Sequence, residues 1–179
     1  MIRSIGLDLG QAQDYTALAI CEDDGEAWTI TSLGRLPLGT PYPAVVERVT
    51  ALVARLPRPL YLMVDATGVG RPVVDMLREA GAAPTPVSIT YKGRTARDQT
   101  GAWSVPKAVL MERMAMAMDQ GRLKIICDEM MGRIFAGEAH NFVHTVNQLG
   151  HGTFKGRRHS HDDLILAVAL AMWARAGSQ

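Results

Sequence analysis

IGLDLGQAQDYTALAI, residues 5–20, is two apolar runs joined by a polar turn, and the first run ends on a carboxylate at Asp8. Residues 2–9 form that first run, closed by Gly10. Thr16–Cys21 and Ala27–Leu36 follow at turn-separated intervals, with Asp23-Asp24-Gly25 between them. Short apolar runs punctuated by turn formers predict a meander of three antiparallel strands. Strand alternation sets Ser4, Gly6 and Asp8 on one face and Ile5, Leu7 and Leu9 on the other. The small neighbours of Asp8 leave room for a bound ion or an approaching backbone. A carboxylate ending a buried strand is costly unless something cationic compensates it; the plainer alternative is a turn-forming Asp before Gly10.

Downstream the period changes. Val45, Val46, Val49, Leu52, Val53 and Leu56 recur at helical spacing from Pro43 to Leu56, and Pro57 ends the run. Leu60–Val64 is a compact strand, Thr67 is placed to cap a helix from near Val69 to about Gly81, and Pro86–Tyr91 is the next strand. Strand, helix and strand in that order predict a right-handed parallel crossover. Lys92–Trp103 is polar and predicts a loop over the active face. Helices are expected over Val105–Asp119 with Pro106 in the first turn, over Asp128–His140, and from about His161 to Arg175. A hairpin is expected within residues 142–155, around Leu149-Gly150-His151-Gly152. The sum is a single α/β domain over residues 1–179: a mixed central sheet, three antiparallel strands plus parallel strands, flanked by helices. That order resembles the ribonuclease H-like fold.

Two further acidic sites join Asp8. Asp65 ends LYLMV and precedes Ala-Thr-Gly-Val-Gly, where glycines allow close backbone approach and the next helix offers its N-terminal amides; an Asx turn is the alternative. Asp162-Asp163 open the last helix in HSHDDLILAVALA. Asp163 shares a face with Ala167, Leu170, Ala171 and Ala174, whereas Asp162 shares one with Leu166, Ala169 and Trp173. The alanine-rich face can approach a sheet most closely, so Asp163 is expected in the site with Asp162 flanking it or binding through water. The competing expectation is that Ser160 and Asp163 form a capping box. Three carboxylate sites on neighbouring elements suit hard, oxygen-preferring cations, Mg²⁺ or Mn²⁺. Two such ions about 3.5–4 Å apart could activate water and stabilise the leaving oxygen in phosphodiester cleavage, with Asp8 bridging them.

Composition bounds the rest. With 47% hydrophobic and 21% charged residues among 179, the chain is globular rather than disordered. The net charge of +1 hides an asymmetry, since residues 1–90 carry 7 Lys+Arg against 10 Asp+Glu and residues 91–179 carry 12 against 8. The later half is the expected polyanion-facing side. Cys21 and Cys127 have no metal spacing and are expected reduced, as in a cytosolic compartment. Leu164–Trp173 is too short an apolar stretch to span a membrane, and the N-terminus is a strand pattern rather than a signal peptide. Met111, Met114, Met116 and Met118 are expected as core filler. Trp28, Trp103 and Trp173 are expected to pack, being too scattered for a base-stacking surface.

Taken in order, IGLDLGQAQDYTALAI, MVDATGVGRPVVDML, VPKAVLMERM and HDDLILAVALA resemble the nuclease domain of the phage terminase large subunit, a ribonuclease H-like group, over essentially the whole chain. The resemblance implies metal-dependent endonuclease activity on double-stranded DNA, cutting concatemeric phage genomes during packaging by a two-metal mechanism. It implies Asp8, Asp65 and Asp163 as catalytic metal ligands, with Asp162 as a further ligand, and two Mg²⁺ or Mn²⁺ ions. Implied partners are double-stranded DNA, a packaging ATPase motor, a small terminase subunit and a portal, in the host cytoplasm and with no membrane. One departure stands out: no GxxxxGK[ST] occurs in these residues, so no ATPase motor is expected within them.

Basic residues mark the expected DNA path. Lys92, Arg94 and Arg97 lie in the polar loop, Lys107 starts a helix and could approach the scissile phosphate, and Lys155, Arg157, Arg158, His159 and His161 crowd the approach to Asp162-Asp163. Such a rim positions phosphates without sequence readout. His140, His144, His151, His159 and His161 lack zinc-site spacing. Competing functions are a Holliday-junction-resolvase-like or transposase-like nuclease, an actin-like or sugar-kinase ATPase fragment, and a non-catalytic DNA-binding module.

Overall fold

The computed structural model describes residues 1–10, 14–68, 70–149 and 162–174, the side chains of 141–149 excepted. The strands are β1 (Ile2–Asp8), β2 (Ala17–Asp23), β3 (Trp28–Arg35), β4 (Leu60–Asp65), β5 (Pro84–Thr90), β6 (Ala96–Arg97), β7 (Trp103–Pro106) and β8 (Leu123–Ile125). The helices are α1 (Tyr42–Arg55), α2 (Gly70–Glu79), α3 (Lys107–Asp119), α4 (Glu129–Leu149) and α5 (Asp163–Trp173). One mixed sheet runs β6-β7-β5-β4-β1-β2-β3-β8. The expected meander is its antiparallel part, β1 to β2 to β3, and β4 joins β1 in parallel.

Alternation along the central strands builds two cores. Ile5, Leu7, Leu62 and Val64 face α1 and α2 and meet Val45, Val49, Val73 and Leu77. On the other side Met63, Ala17 and Ala19 meet α3, α4 and α5. Helix α5 is buried almost all round, from Leu164 to Ala174 with Leu166 half-buried, so its apolar sequence reflects enclosure. It lies directly on β1. A Cβ built on Gly6 would stand 1.9 Å from the carbonyl oxygen of Ala167, and the Ser4 hydroxyl donates to the carbonyl of Ala171 at 2.7 Å. The small face of β1 thus admits a backbone, and the alanine face of α5 supplies it.

Several expectations need correction. The polar segment 92–103 is not all loop: β6 and β7 extend the sheet edge, β7 pairing parallel to β5 through Val87↔Trp103 to Thr90↔Pro106. Val105 therefore belongs to a strand, and Pro106 is the extended residue before α3 rather than part of its first turn. Strand β8, a three-residue parallel partner of β3, is too short to carry a sequence signal. Helix α4 runs on through Leu149, which excludes a hairpin strand over 142–149; residues 150–155 lie outside the described residues. The Thr67 hydroxyl accepts from the Ile89 backbone N–H at 2.9 Å, tying the end of β4 to β5; Val69, at the expected helix start, lies outside the described residues. Met111 and Met114 are core, but Met116 and Met118 are 60% and 37% exposed. Trp28 and Trp173 are buried, and Trp103 packs edge-on against Trp173 with ring centroids 5.7 Å apart. Cys21 and Cys127 are free thiols. Among the described residues no helix is long and apolar enough to cross a membrane.

Candidate metal centre

Parallel pairing of β1 and β4 runs from Arg3↔Leu60 to Leu7↔Val64, so Asp8 and Asp65 are the next residues on two adjacent strands. Both lie at carboxyl ends, the side of an open α/β sheet where ligands bind. Alternation turns them to the face of Gly6 and Met63, where α5 sits. Because Gly6 lets α5 settle on β1, the start of that helix, Asp163, comes over the same strand ends. Gly70 shapes the second strand end in a like manner, since a Cβ there would lie 2.0 Å from the Asp65 carbonyl oxygen.

The electrostatics show the convergence. Asp8 is 8% exposed. Burial, then the charges of Asp65, Asp163 and Asp162, push its carboxyl well above the usual carboxylate range, while Lys107 pulls the other way. Burial also raises Asp65, opposed by hydrogen bonds from Thr67 and by Lys107. Asp65 Oδ1 accepts from the Thr67 amide at 2.8 Å, so the Asx turn forms as well as the strand-end carboxylate. Lys107 reaches in from the first position of α3, its Nζ donating to Asp162 Oδ2 at 2.5 Å. The lysine expected near a phosphate thus lies on the site's own acid.

At α5 the two acids differ in burial. Asp163 is buried, and Arg35 at the end of β3 pairs with its Oδ2 through Nη2 at 3.2 Å. Asp162 is half-buried and caps nothing with its side chain, and Ser160 lies outside the described residues. The amide of Ile165, in the first turn, donates instead to Glu138 Oε2 of α4 at 3.2 Å. Arg35 Nη2 also donates to Glu138 Oε1, and the Tyr15 ring stacks 4.7 Å from the guanidinium carbon. Burial raises Glu138 to about 7, against the pull of Arg35 and the Ile165 amide and reinforced by Asp163 and Asp162.

Arg35, Glu138 and Tyr15 are site neighbours that the sequence reading misses. The available signal is Glu138 itself, a lone acid between Phe135 and Ala139, both core residues. Among the described residues no group of three or more His, Cys, Asp or Glu side chains stands close enough to hold a metal ion as placed. The donor chemistry nonetheless fits a hard divalent cation, because the groups facing Asp8 are carboxylates whose charges raise its proton affinity.

The expected DNA-contact residues are less concentrated. Lys92 and Arg94 are exposed. Arg97, on β6, lays its guanidinium over the Trp103 ring at 5.4 Å and lines a groove of about 500 Å³ with Arg71 and Arg78 of α2 and with Ala66, next to Asp65. Lys155, Arg157, Arg158, His159 and His161 lie outside the described residues, and His140 is exposed.

Residues 5–175 match the family model for the terminase RNaseH-like domain. In fold, the chain resembles the large terminase nuclease of thermophilic phage G20c (TM-score 0.69, 23% identity, 97% of this chain and 82% of that one), a protein also solved with bound magnesium. It resembles the large terminase of a second thermophilic bacteriophage (TM-score 0.66, 11% identity, 94% of this chain, 38% of that one). It also resembles the human cytomegalovirus terminase nuclease domain, soaked with manganese (TM-score 0.55, 14% identity, 95% and 81%). Among curated proteins, none matches the chain.

Proposed function

Because the chain belongs to the terminase RNaseH-like domain family, we propose that it is a divalent-metal-dependent endonuclease cutting double-stranded DNA, with Asp8, Asp65 and Asp163 as metal ligands. The observation that carries this reading is the start of α5. Helix-opening acids ordinarily serve the helix's own amides, but here Glu138 of another helix takes the Ile165 amide, and Asp163 contributes charge at the Asp8 strand end. Support for the metal comes from the donor chemistry and from two fold relatives, one holding magnesium and one soaked with manganese.

Two bound Mg²⁺ or Mn²⁺ ions would supply an activated water and charge stabilisation for the leaving oxygen. Asp8, buried and flanked by the others, would hold them together with Asp65 and Asp163, with Asp162 beside them. Lys107, already within reach of Asp8, Asp65 and Asp162, would meet a scissile phosphate brought to the strand ends. Arg97 and Arg71 in the edge groove, with Lys92, Arg94 and residues 155–161, would hold the DNA backbone without reading bases. The large terminase of the second thermophilic phage is more than twice as long as the part matched here and has been solved with ATP-gamma-S. A packaging motor, and with it a small terminase subunit and portal in a phage-infected host, is therefore the proposed setting.

Plasmid incubated with purified protein and Mn²⁺ or Mg²⁺ is expected to be nicked and linearised, and a chelator to stop the reaction. Folded protein that leaves plasmid intact under both metals would overturn the proposal.

A further inference from the structure

The side chains of Arg35, at the end of β3, and Glu138, on α4, belong to neither apolar core, and both touch the start of α5. Glu138 sits on a helix that is otherwise apolar on that side, and its two oxygens do different work. Oε2 accepts from the Ile165 amide, fixing the first turn of α5, while Oε1 accepts from Arg35 Nη2. The same guanidinium nitrogen stands 3.2 Å from Asp163 Oδ2. Tyr15, at the entrance to β2, covers the guanidinium from one side. Arg35 and Asp163 have side chains 15% and 7% exposed, so neither is screened by bulk water.

From these contacts we infer that Arg35, anchored by Glu138 and stacked on Tyr15, is a positioning residue that sets the orientation of the Asp163 carboxylate and thereby the affinity of the strand-end carboxylates for a divalent cation. The inference rests on the metal-site reading above. A lone Asp at a helix start can rotate about its side-chain bonds, and Asp163 stands beside Asp8, whose carboxyl its charge raises. A cation shared with a fixed acid holds it in one orientation.

The test is Mn²⁺ titration of the intact protein, followed by the electron paramagnetic resonance signal of free Mn²⁺, for wild type and for Arg35→Met, Arg35→Lys, Glu138→Gln and Tyr15→Leu. Removing a group that orients a metal ligand typically weakens metal binding by about 10–100-fold. Arg35→Met is expected to lose at least about tenfold in Mn²⁺ affinity, and Arg35→Lys, which returns the charge without the planar fork, to recover part of it. Tyr15→Leu leaves every charge in place and is expected to fall between wild type and Arg35→Met; it carries the test should Arg35→Met not fold. Glu138→Gln keeps an acceptor for the Ile165 amide but loses the charge anchoring Arg35, and should also weaken binding. Wild-type affinity in all the folded variants overturns the inference while leaving the metal site intact. Wild type that binds no Mn²⁺ overturns the metal reading itself, and this inference with it.

Discussion

Asp8 is buried and faced by Asp65, Asp163 and Asp162, and burial and their charges raise its carboxyl well above the usual range. Replacing it with Asn should therefore have opposite effects on stability and activity. In chelator, Asp8→Asn removes a repelled carboxylate, and Tm should rise by roughly 2–4 °C for each kcal/mol relieved, measured by differential scanning calorimetry. In Mn²⁺ the same variant should lose more than about 100-fold in plasmid cleavage, as expected when a group stabilising transition-state charge is lost. Asp65→Asn should lose activity to a similar extent. The two helix acids should differ: Asp162 pairs with Lys107 in a half-exposed bridge worth about 1 kcal/mol at most, so Asp162→Asn should retain cleavage to within about tenfold. Asp163→Asn, at the buried position, should fall much further. Equal losses at the two positions would sink the division of roles. All four acids are legible in the sequence because each stands where an apolar run ends or begins. Arg35 and Glu138 are not, because a pair between the end of β3 and the middle of α4 is joined by tertiary contact, and neither run's period marks it.

The packing of α5 on β1 positions the third acid, and it depends on one missing side chain. Gly6→Ala would place a methyl 1.9 Å from the Ala167 carbonyl oxygen, a backbone atom that cannot rotate away. The helix must then lift from the sheet, at a cost of about 1–3 kcal/mol or more, and Asp163 lifts with it. Gly6→Ala is thus expected to lower the urea midpoint and to weaken Mn²⁺ binding together. Ser4→Ala, which removes the hydrogen bond to Ala171 and the contact with the Cys21 thiol but leaves the backbone approach intact, should cost about 1 kcal/mol and leave metal affinity near wild type. A Gly6→Ala protein with wild-type midpoint would refute the close-approach argument. At this scale the sequence pattern serves well where periodicity is long and uninterrupted, as in β1 to β5, α1 and α2. It fails at the edges. β6, β7 and β8 are two to four residues long and held by pairing with β5 and β3 rather than by their own alternation. Gly150 and Gly152 suggest a hairpin turn over residues that α4 partly occupies, because glycine marks the end of a helix as readily as the tip of a hairpin.

Across the whole molecule, the sheet brings carboxylates from β1, β4, α4 and α5 to one end, and the metal-free protein must carry that charge. The pH dependence follows from the direction of the shifts. Glu138 is raised from 4.5 to about 7 and Asp8 is raised well above its ordinary value, so the folded state holds protons that the unfolded state has already released. Stability from such groups is fully present below their unfolded values and is lost as pH rises through the folded ones. In chelator, Tm should accordingly fall as pH is raised from about 5 to 8, with the steepest part near 7, and Glu138→Gln should flatten part of that slope. A divalent cation binding the folded carboxylates adds stability that grows with its concentration over its dissociation constant, and it binds best when they are ionised. With millimolar Mn²⁺ the decline should therefore weaken or reverse, and the curves with and without metal should diverge as pH rises. Calorimetric scans at several pH values, with and without Mn²⁺, read both effects in one experiment. Parallel curves would mean that the carboxylates facing Asp8 do not take up a divalent cation.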